Sequence, residues 1–345
     1  MKNFLMVFVA LFIANSSFAQ DKEVRVGCIG FYNVENLFDT LDTPDVRDTE
    51  FTPDGVKLWN TTLYHEKLGQ LAKVISQMGT EMTPDGVALL GVAEVENRKV
   101  LEDLTKHPTI IARNYKVVHF DSPDKRGIDV GLLYQPKYFK VEKATQIPAN
   151  LIEPDGSKVY TRDILLVSGQ FDGELLHVLV NHWSSRGGGE AASSWRREGS
   201  AKLNKYIVDS LQTADPNAKV IIMGDLNDDP ISPSVKKILA PKIKPNKVED
   251  GDLFNPMYAY FKKGIGTLAW RDSWNLFDQI IVSSGLVRQN DKGYHFYKAR
   301  VFNQKYLQTK TGQYKGYPWR TFSGDNYIGG YSDHFPVYVF LVKEL

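Results

Sequence analysis

Two short stretches of this 345-residue chain hold residue types that do hydrolytic chemistry. "GDLNDDP" sets Asp225 and Asn227 directly after the apolar run AKVIIM, and "SDHFPV" sets Asp333 and His334 directly before another. Other runs end in the same way. VRVGCIGFY leads into Asn33, GVALLGVA into Glu94 and Glu96 with Asn97 next, and LHVLV into Asn181 and His182, while Asp278 opens DQIIVS. An apolar strand carries its terminal residue to the rim of the core. A carboxylate there is costly unless it is paired, metal-bound or hydrated. One such end is ordinary; a series built from Asp, Glu, Asn and His predicts a shared site at one end of the sheets. Oxygen ligands with amides suit a hard cation, Mg²⁺, Mn²⁺ or Ca²⁺. The seven histidines and single cysteine lack zinc-type spacing.

The elements that must position these residues are legible as alternating strands and helices. Strands are expected in VRVGCIGFYNV, GVALLGVAEV, YKVVHF, IDVGLLYQP, ILLVSGQF, LHVLVNHW, AKVIIMGDLN, FDQIIVS and FPVYVFLV. Many are apolar on both faces, as strands between layers are. YHEKLGQLAKVISQM repeats apolar residues at helical intervals (Leu68, Leu71, Val74, Ile75, Met78). A second helix is expected in SSWRREGSAKLNKYIVDSLQ and a third after Pro233, with Ser232 as its cap. No Gly-, Ser- or Pro-rich linker interrupts the pattern. The reading is an α/β domain of two packed sheets with outer helices.

Bulk properties narrow the function classes. The apolar fraction of 42% supports a substantial core, and the net charge of +1 argues against a strongly basic nucleic-acid wrapper. It leaves room for an enzyme on polyanions whose positive charge is local. Residues 1–19 have the order of a secretory signal peptide, Lys2, an apolar run, then small residues to Ala19. That run is too short to span a bilayer, so a secreted or periplasmic chain of residues 20–345 is expected, without stable membrane insertion and monomeric. Cys28 is read as a buried strand residue.

The motifs GDLND and SDHFPV, with the upstream AEVEN and FYNVENLFD, resemble the endonuclease/exonuclease/phosphatase superfamily, deoxyribonuclease I-like, in its exported bacterial branch, which also carries GIDVGLLY and NHW. The resemblance runs over nearly the whole mature chain. It implies a four-layer α/β/β/α sandwich and a metal-dependent phosphoesterase. By the same resemblance Asn33 touches the metal or phosphate, Glu94 binds the metal, and His182 contacts the scissile phosphate. Asp225 and Asn227 position the attacking water and phosphate oxygens, Asp333 and His334 form the last pair, and Asp278 orients His334. The residue types suit these roles. A metal on Glu94, with Asp333 or Asn33, would polarise a phosphoryl oxygen. His334 fixed by Asp278 can donate to phosphate, Asp225 can orient or deprotonate water, and Asn227 can donate through its neutral amide.

Around this core the residues admit plainer readings. Asn33 alone is a strand-end turn residue. Glu96, Asp228 and Asp229 read as solvated loop acids, the latter two before Pro230. Arg126 is equally a phosphate contact or a loop charge. Arg186, in SSRGGGE, is placed near the phosphate by a loop without the P-loop pattern. Trp183, Trp195, Trp270 and Trp274 form a stacking rim or pack in the core. Asp129 interrupts an apolar strand and is expected to be paired. The function expected is a secreted nuclease acting on DNA or RNA. The alternatives are a phosphatase or phosphodiesterase on lipid head groups, inositol phosphates or small nucleotides, and, below these, a non-catalytic binding protein.

Overall fold

The computed structural model describes residues 23–288 and 293–345, so the expected signal peptide lies outside the described residues. The strands are β1 (Val24–Leu37), β2 (Leu89–Val95), β3 (Lys116–His119), β4 (Asp129–Tyr134), β5 (Phe139–Ile147), β6 (Ile164–Phe171), β7 (Glu174–His182) and β8 (Lys219–Asp225). They continue with β9 (Leu253–Phe254), β10 (Leu268–Trp270), β11 (Ser273–Asn275), β12 (Asp278–Ser283), β13 (His295–Val301), β14 (Phe322–Ser323), β15 (Asn326–Tyr327) and β16 (Val337–Glu344). One sheet runs β13-β16-β1-β2-β4-β3 and the other β5-β6-β7-β8-β12-β9; β10 with β11 and β14 with β15 form separate ribbons.

Period-two alternation makes the layers. On β8, Ile221 and Met223 join the large core containing the first sheet, while Val220 and Ile222 join a second core with Ala201, Ile207 and Val208 of helix α3 (Glu190–Ala214). Helices α1 (Thr61–Gln77) and α2 (Arg98–Thr105) bury Leu68, Leu71, Val100 and Leu101 in the large core. The result is the expected α/β/β/α sandwich, and Cys28 is buried in it. Among the described residues, no helix is long and apolar enough to cross a membrane.

Differences from the sequence reading are local. α1 begins at Thr61 because the Asn60 side chain accepts from the amides of Thr62 and Leu63. Asn97, read as a polar strand end, caps the unforeseen α2 by accepting from Val100 N. Ser232 does not cap a helix. Its hydroxyl accepts from Asp229 N at 3.1 Å, and Ser234–Leu239 is a π-helical turn. Besides the two- and three-residue strands β9, β10, β11, β14 and β15, the strands that escaped notice are β5 and β13, sheet edges with many polar residues, as edges often are.

Candidate active site

Register assembles the site. β7 runs parallel to β8 with His182 opposite Asp225, and β12 runs antiparallel with Asp278 opposite the same Asp225. The three side chains therefore form one row, on the face that Met223 turns toward the other sheet. From that other sheet Asn33 reaches across, its Nδ2 donating to Asp225 Oδ2 at 3.1 Å. Beyond Asn33 the β1–β2 register shifts, and the next pair is Leu37 with Val95. Glu35, Asn36 and Glu94, at this irregularity, have φ of 54°, 52° and 61°. Left-handed backbone at non-glycine residues stores strain and clusters at functional sites. Asn36 N donates to Glu94 Oε2 at 3.1 Å, and Glu94 Oε1 lies 3.8 Å from His182 Nε2.

Two histidines flank Asp225, and their surroundings push their pKa values in opposite directions. His334 Nδ1 meets Asp278 Oδ2 at 2.7 Å, while its Nε2 lies 3.9 Å from Asp225 Oδ2 and 4.0 Å from Asp333 Oδ1. Burial alone would lower its pKa, but the Asp278 and Asp225 carboxylates hold it well above the usual range, which favours the imidazolium. His182 Nε2 sits 3.6 Å from Asp225 Oδ2. Burial, reinforced by Arg162, Arg126 and His334, pushes it well below the usual range, which favours the neutral ring. Burial raises Asp225 to about 6, against the pull of His334. Ser332 ties this cluster to β1, its hydroxyl donating to Asn33 O at 2.7 Å and accepting from His334 N at 3.0 Å.

The other expected residues are placed as follows. Asn227 N donates to Asp225 Oδ1 at 2.9 Å and its Nδ2 to Trp183 O at 3.0 Å, so its amide braces the loop under Asp225. Arg186 stacks on Phe277 and donates to Asn227 O, Glu190, Asp228 and Asp229, which leaves its guanidinium fully engaged. Arg126 is half-exposed beside Asp124, within the electrostatic reach of His182. Asp228 and Asp229 are not solvated loop acids: both are buried, Asp228 on Arg197 and Ser234, Asp229 on Asn275 and Leu276 N. Glu96 is not solvated either, accepting from Asp39 N at 2.6 Å and Thr43 Oγ1 at 2.9 Å in a buried position. Trp183 is core, with its indole N–H on Asn181 Oδ1, and Trp195 is half-buried. Trp270 and Trp274 are exposed on the β10–β11 ribbon, and Trp274 stacks on Phe335, next to His334.

Several functional contacts carry no sequence signal. Arg162, buried, donates to His182 O, Trp183 O and Asp124 Oδ2 at 3.1, 2.5 and 2.8 Å, fixing the strand end that holds His182. Glu35 accepts from Thr321 N at 2.6 Å and from Arg320 Nε at 3.3 Å, and Arg320 also reaches Asp333 Oδ2 at 2.9 Å. Only folding brings these sequence-distant partners together.

The donor set suits a hard ion at one position. Glu94 Oε1 lies beside the His182 imidazole, beyond hydrogen-bond distance, and Asp333 gives Oδ2 rather than Oδ1 to Arg320. Asn33 has less to offer, because its Oδ1 accepts from Glu35 N and its Nδ2 is on Asp225. Mg²⁺ is commonly held by one or two carboxylates, with waters and phosphate oxygens completing its shell. Among the described residues, the His/Cys/Asp/Glu group whose ligand atoms all lie within 4.8 Å of one another is elsewhere: His119, Asp121 and Asp129. There Asp129 is paired as expected, with His119 Nε2 at 3.1 Å and Ser122 N at 2.7 Å.

Comparison with known proteins agrees with this architecture. No curated protein matches the sequence. Among solved structures, a humanized TDP2 from D. rerio superposes with a TM-score of 0.55 at 15% identity, over 92% of this chain and 98% of that one. An endonuclease/exonuclease/phosphatase family protein from Bacteroides thetaiotaomicron gives 0.54 at 17%, over 94% and 97%. A mannosyl-6-phosphatase from the same organism gives 0.53 at 16%, over 91% and 99%. Such distant likenesses establish the fold. Residues 28–343 match the family described as Endonuclease/Exonuclease/phosphatase, and the chain belongs to that family.

Proposed function

We propose that the protein is a divalent-metal-dependent phosphodiesterase acting on nucleic acid, exported by its N-terminal leader. The observation that carries the reading is the convergence on one Asp225 oxygen of His182, of His334 held by Asp278, and of Asn33 from the other sheet. With His334 Nδ1 committed to Asp278, Nε2 is the nitrogen left to donate to a phosphate oxygen where negative charge develops. Asp225, raised to about 6, is mostly ionised at neutral pH yet basic enough to accept a proton from a water. Asn227 N holds its other oxygen, which fixes the direction of that acceptance. Glu94, with Asp333, would hold a Mg²⁺, Mn²⁺ or Ca²⁺ ion, which when bound supplies charge neutralisation at the phosphate. The exposed ring of Trp274 beside the His334 segment, with exposed Trp270 on the same ribbon, supports a substrate carrying bases, since every base offers a face for stacking.

A second reading, a phosphatase on a small phosphoester, has support in the mannosyl-6-phosphatase among the proteins of similar fold. Hydrolysis of supercoiled plasmid and of bis-p-nitrophenyl phosphate, with each metal, with EDTA, and with His334→Ala, separates the two. Nicking that requires metal and falls by about 10²–10⁴-fold in His334→Ala is expected. Cleavage of small esters alone would favour the phosphatase, and no metal-dependent hydrolysis at all would refute both.

A further inference from the structure

Cations close to the reacting groups are already engaged. Arg162 serves His182 O, Trp183 O and Asp124, and Arg320 serves Glu35 and Asp333. Lys67, buried on α1, donates to Thr321 Oγ1 at 2.6 Å and to Tyr331 O at 2.8 Å, and acts on Glu35. A second group of cations is not engaged in this way. Arg47, Lys125 and Lys158 are exposed, and among the described residues none of them forms an ion pair with a carboxylate.

These three are gathered rather than scattered. Arg47 N donates to Lys125 O at 2.9 Å, and a Cβ on Gly127 would come within 3.2 Å of Val46, so the loops carrying Arg47 and Lys125 pack together. Lys125 Nζ and Lys158 Nζ lie 5.0 and 5.8 Å from the centroid of the exposed Tyr160 ring, whose π face attracts both. Nearby acids are occupied elsewhere. Asp124 is on Arg162, Asp155 on Ser157, and Asp163 on Gln146 and Ala149 N, while Asp121 lies 3.8 Å from His119 Nδ1. A surface that collects cations without acids, in a chain of net charge +1, is the footprint of a polyanion.

Its position indicates which polyanion. Lys125 precedes Arg126, which acts on His182, and Tyr160 lies two residues before Arg162, which holds the His182 and Trp183 carbonyls. The patch therefore adjoins the β7 end of the row His182–Asp225–Asp278, whereas Trp274, stacked on Phe335, adjoins the end where His334 meets Asp278. A small ester filling the site needs neither flank. A nucleic-acid strand, with a charge at every nucleotide, continues past both.

We propose that Arg47, Lys125 and Lys158, arrayed about Tyr160, are the docking surface for the phosphate backbone of nucleic acid that flanks the scissile bond on the His182 side; this rests on the nucleic-acid reading of the site. Tyr160 is a positioning residue that keeps the two lysines together.

The test is the fluorescence anisotropy of a labelled duplex oligonucleotide bound to the protein, in EDTA to prevent cleavage, over a series of salt concentrations. Each phosphate contact removed makes the plot of log affinity against log salt shallower by about 0.9. The combined variant Arg47→Gln, Lys125→Gln, Lys158→Gln is expected to bind more weakly, with a slope shallower by about two to three. Lys106→Gln, Lys116→Gln, Lys140→Gln, which removes exposed lysines remote from the His182 strand end, is expected to keep the parent's slope. An unchanged slope in the first variant, or an equal fall in the second, would overturn the proposal. So would a first variant that keeps its slope on the duplex but loses binding to phosphatidylserine-containing vesicles, which would make the patch a lipid contact. Metal-dependent nicking of plasmid by the parent, together with an unchanged slope in the first variant, would overturn the proposal and leave the nucleic-acid reading intact. A parent that neither nicks plasmid with any metal nor binds the duplex would overturn both. Melting curves establish that each variant is folded. Should the combined variant fail to fold, Lys125→Gln and Lys158→Gln decide singly, each expected to be shallower by about 0.9.

Discussion

At Glu96, burial pushes the carboxyl up to about 7, although the Asp39 amide and Thr43 hydroxyl both favour its charged form. The unfolded chain would titrate this group near the ordinary value of about 4.3. The folded protein therefore binds the proton more tightly, and the group's contribution to stability is complete at low pH. That contribution is lost as pH rises from the unfolded value through about 7. Glu96→Gln removes the titration. Its amide oxygen can keep the Asp39 bond, and its amide nitrogen can donate to the Thr43 hydroxyl. Between pH 4.5 and 7.5, in EDTA, the wild type is expected to lose on the order of 2 kcal/mol relative to the variant. Urea denaturation at several pH values measures this, and parallel curves for the two proteins would count against it. The same residue shows what spacing alone does not reveal. Glu96 follows an apolar strand as Glu94 does, but one is enclosed by the Asp39–Thr43 turn while the other faces the site.

Among the elements, β8 meets the tightest demand, since it places Asp225 between β7 and β12. Gly224 makes that possible: a Cβ there would come within 2.3 Å of Asn181 O on β7. The obstacle is backbone, which cannot rotate away as a side chain can. Gly224→Ala is expected to cost about 1–3 kcal/mol through overpacking and to displace Asp225 from the row. Unfolding free energy and hydrolysis should fall together; a variant of wild-type stability and rate would show that the strands separate freely. Strands such as β8 were legible because an apolar run switching to Asp, Asn or His marks where a strand leaves the core. Asn33, Glu94, His182, Asp225, Asp278 and His334 converge as their strand ends suggested. The irregularity at Asn33 and Glu94 was not legible, because it is a property of pairing between two strands and neither strand states it alone. The same holds for Arg162, Arg320 and Lys67. Each lies in a loop or helix whose local pattern is ordinary, and each acquires its role from a partner far away in sequence. Arg186 erred in the other direction, its glycine-rich surroundings suggesting an open anion cradle where its guanidinium is saturated by acids.

For the molecule as a whole, the site depends on the two sheets packing against each other and on the segment before β16 closing over their ends. Glu94 comes from one sheet, Asp225 and His182 from the other, and Asp333 from that closing segment. The unfolded chain has nothing comparable, so an ion bound here binds only the folded state and must stabilise it. At a hundred times its dissociation constant, such an ion adds about 2.7 kcal/mol. Spread over the unfolding entropy of a chain this long, that raises Tm by about 4 °C. Calorimetric melts with Mn²⁺ and with EDTA test this. Glu94→Gln should have the same Tm in both, whereas the wild type should show the difference. If Glu94→Gln keeps the increment and Asp121→Asn loses it, the stabilising ion sits with His119 and Asp129 at the outer end of the first sheet. Equal melting of the wild type in Mn²⁺ and EDTA would mean that the folded carboxylates are balanced by their own arginines, lysine and imidazolium, and that the expected dependence on metal is wrong.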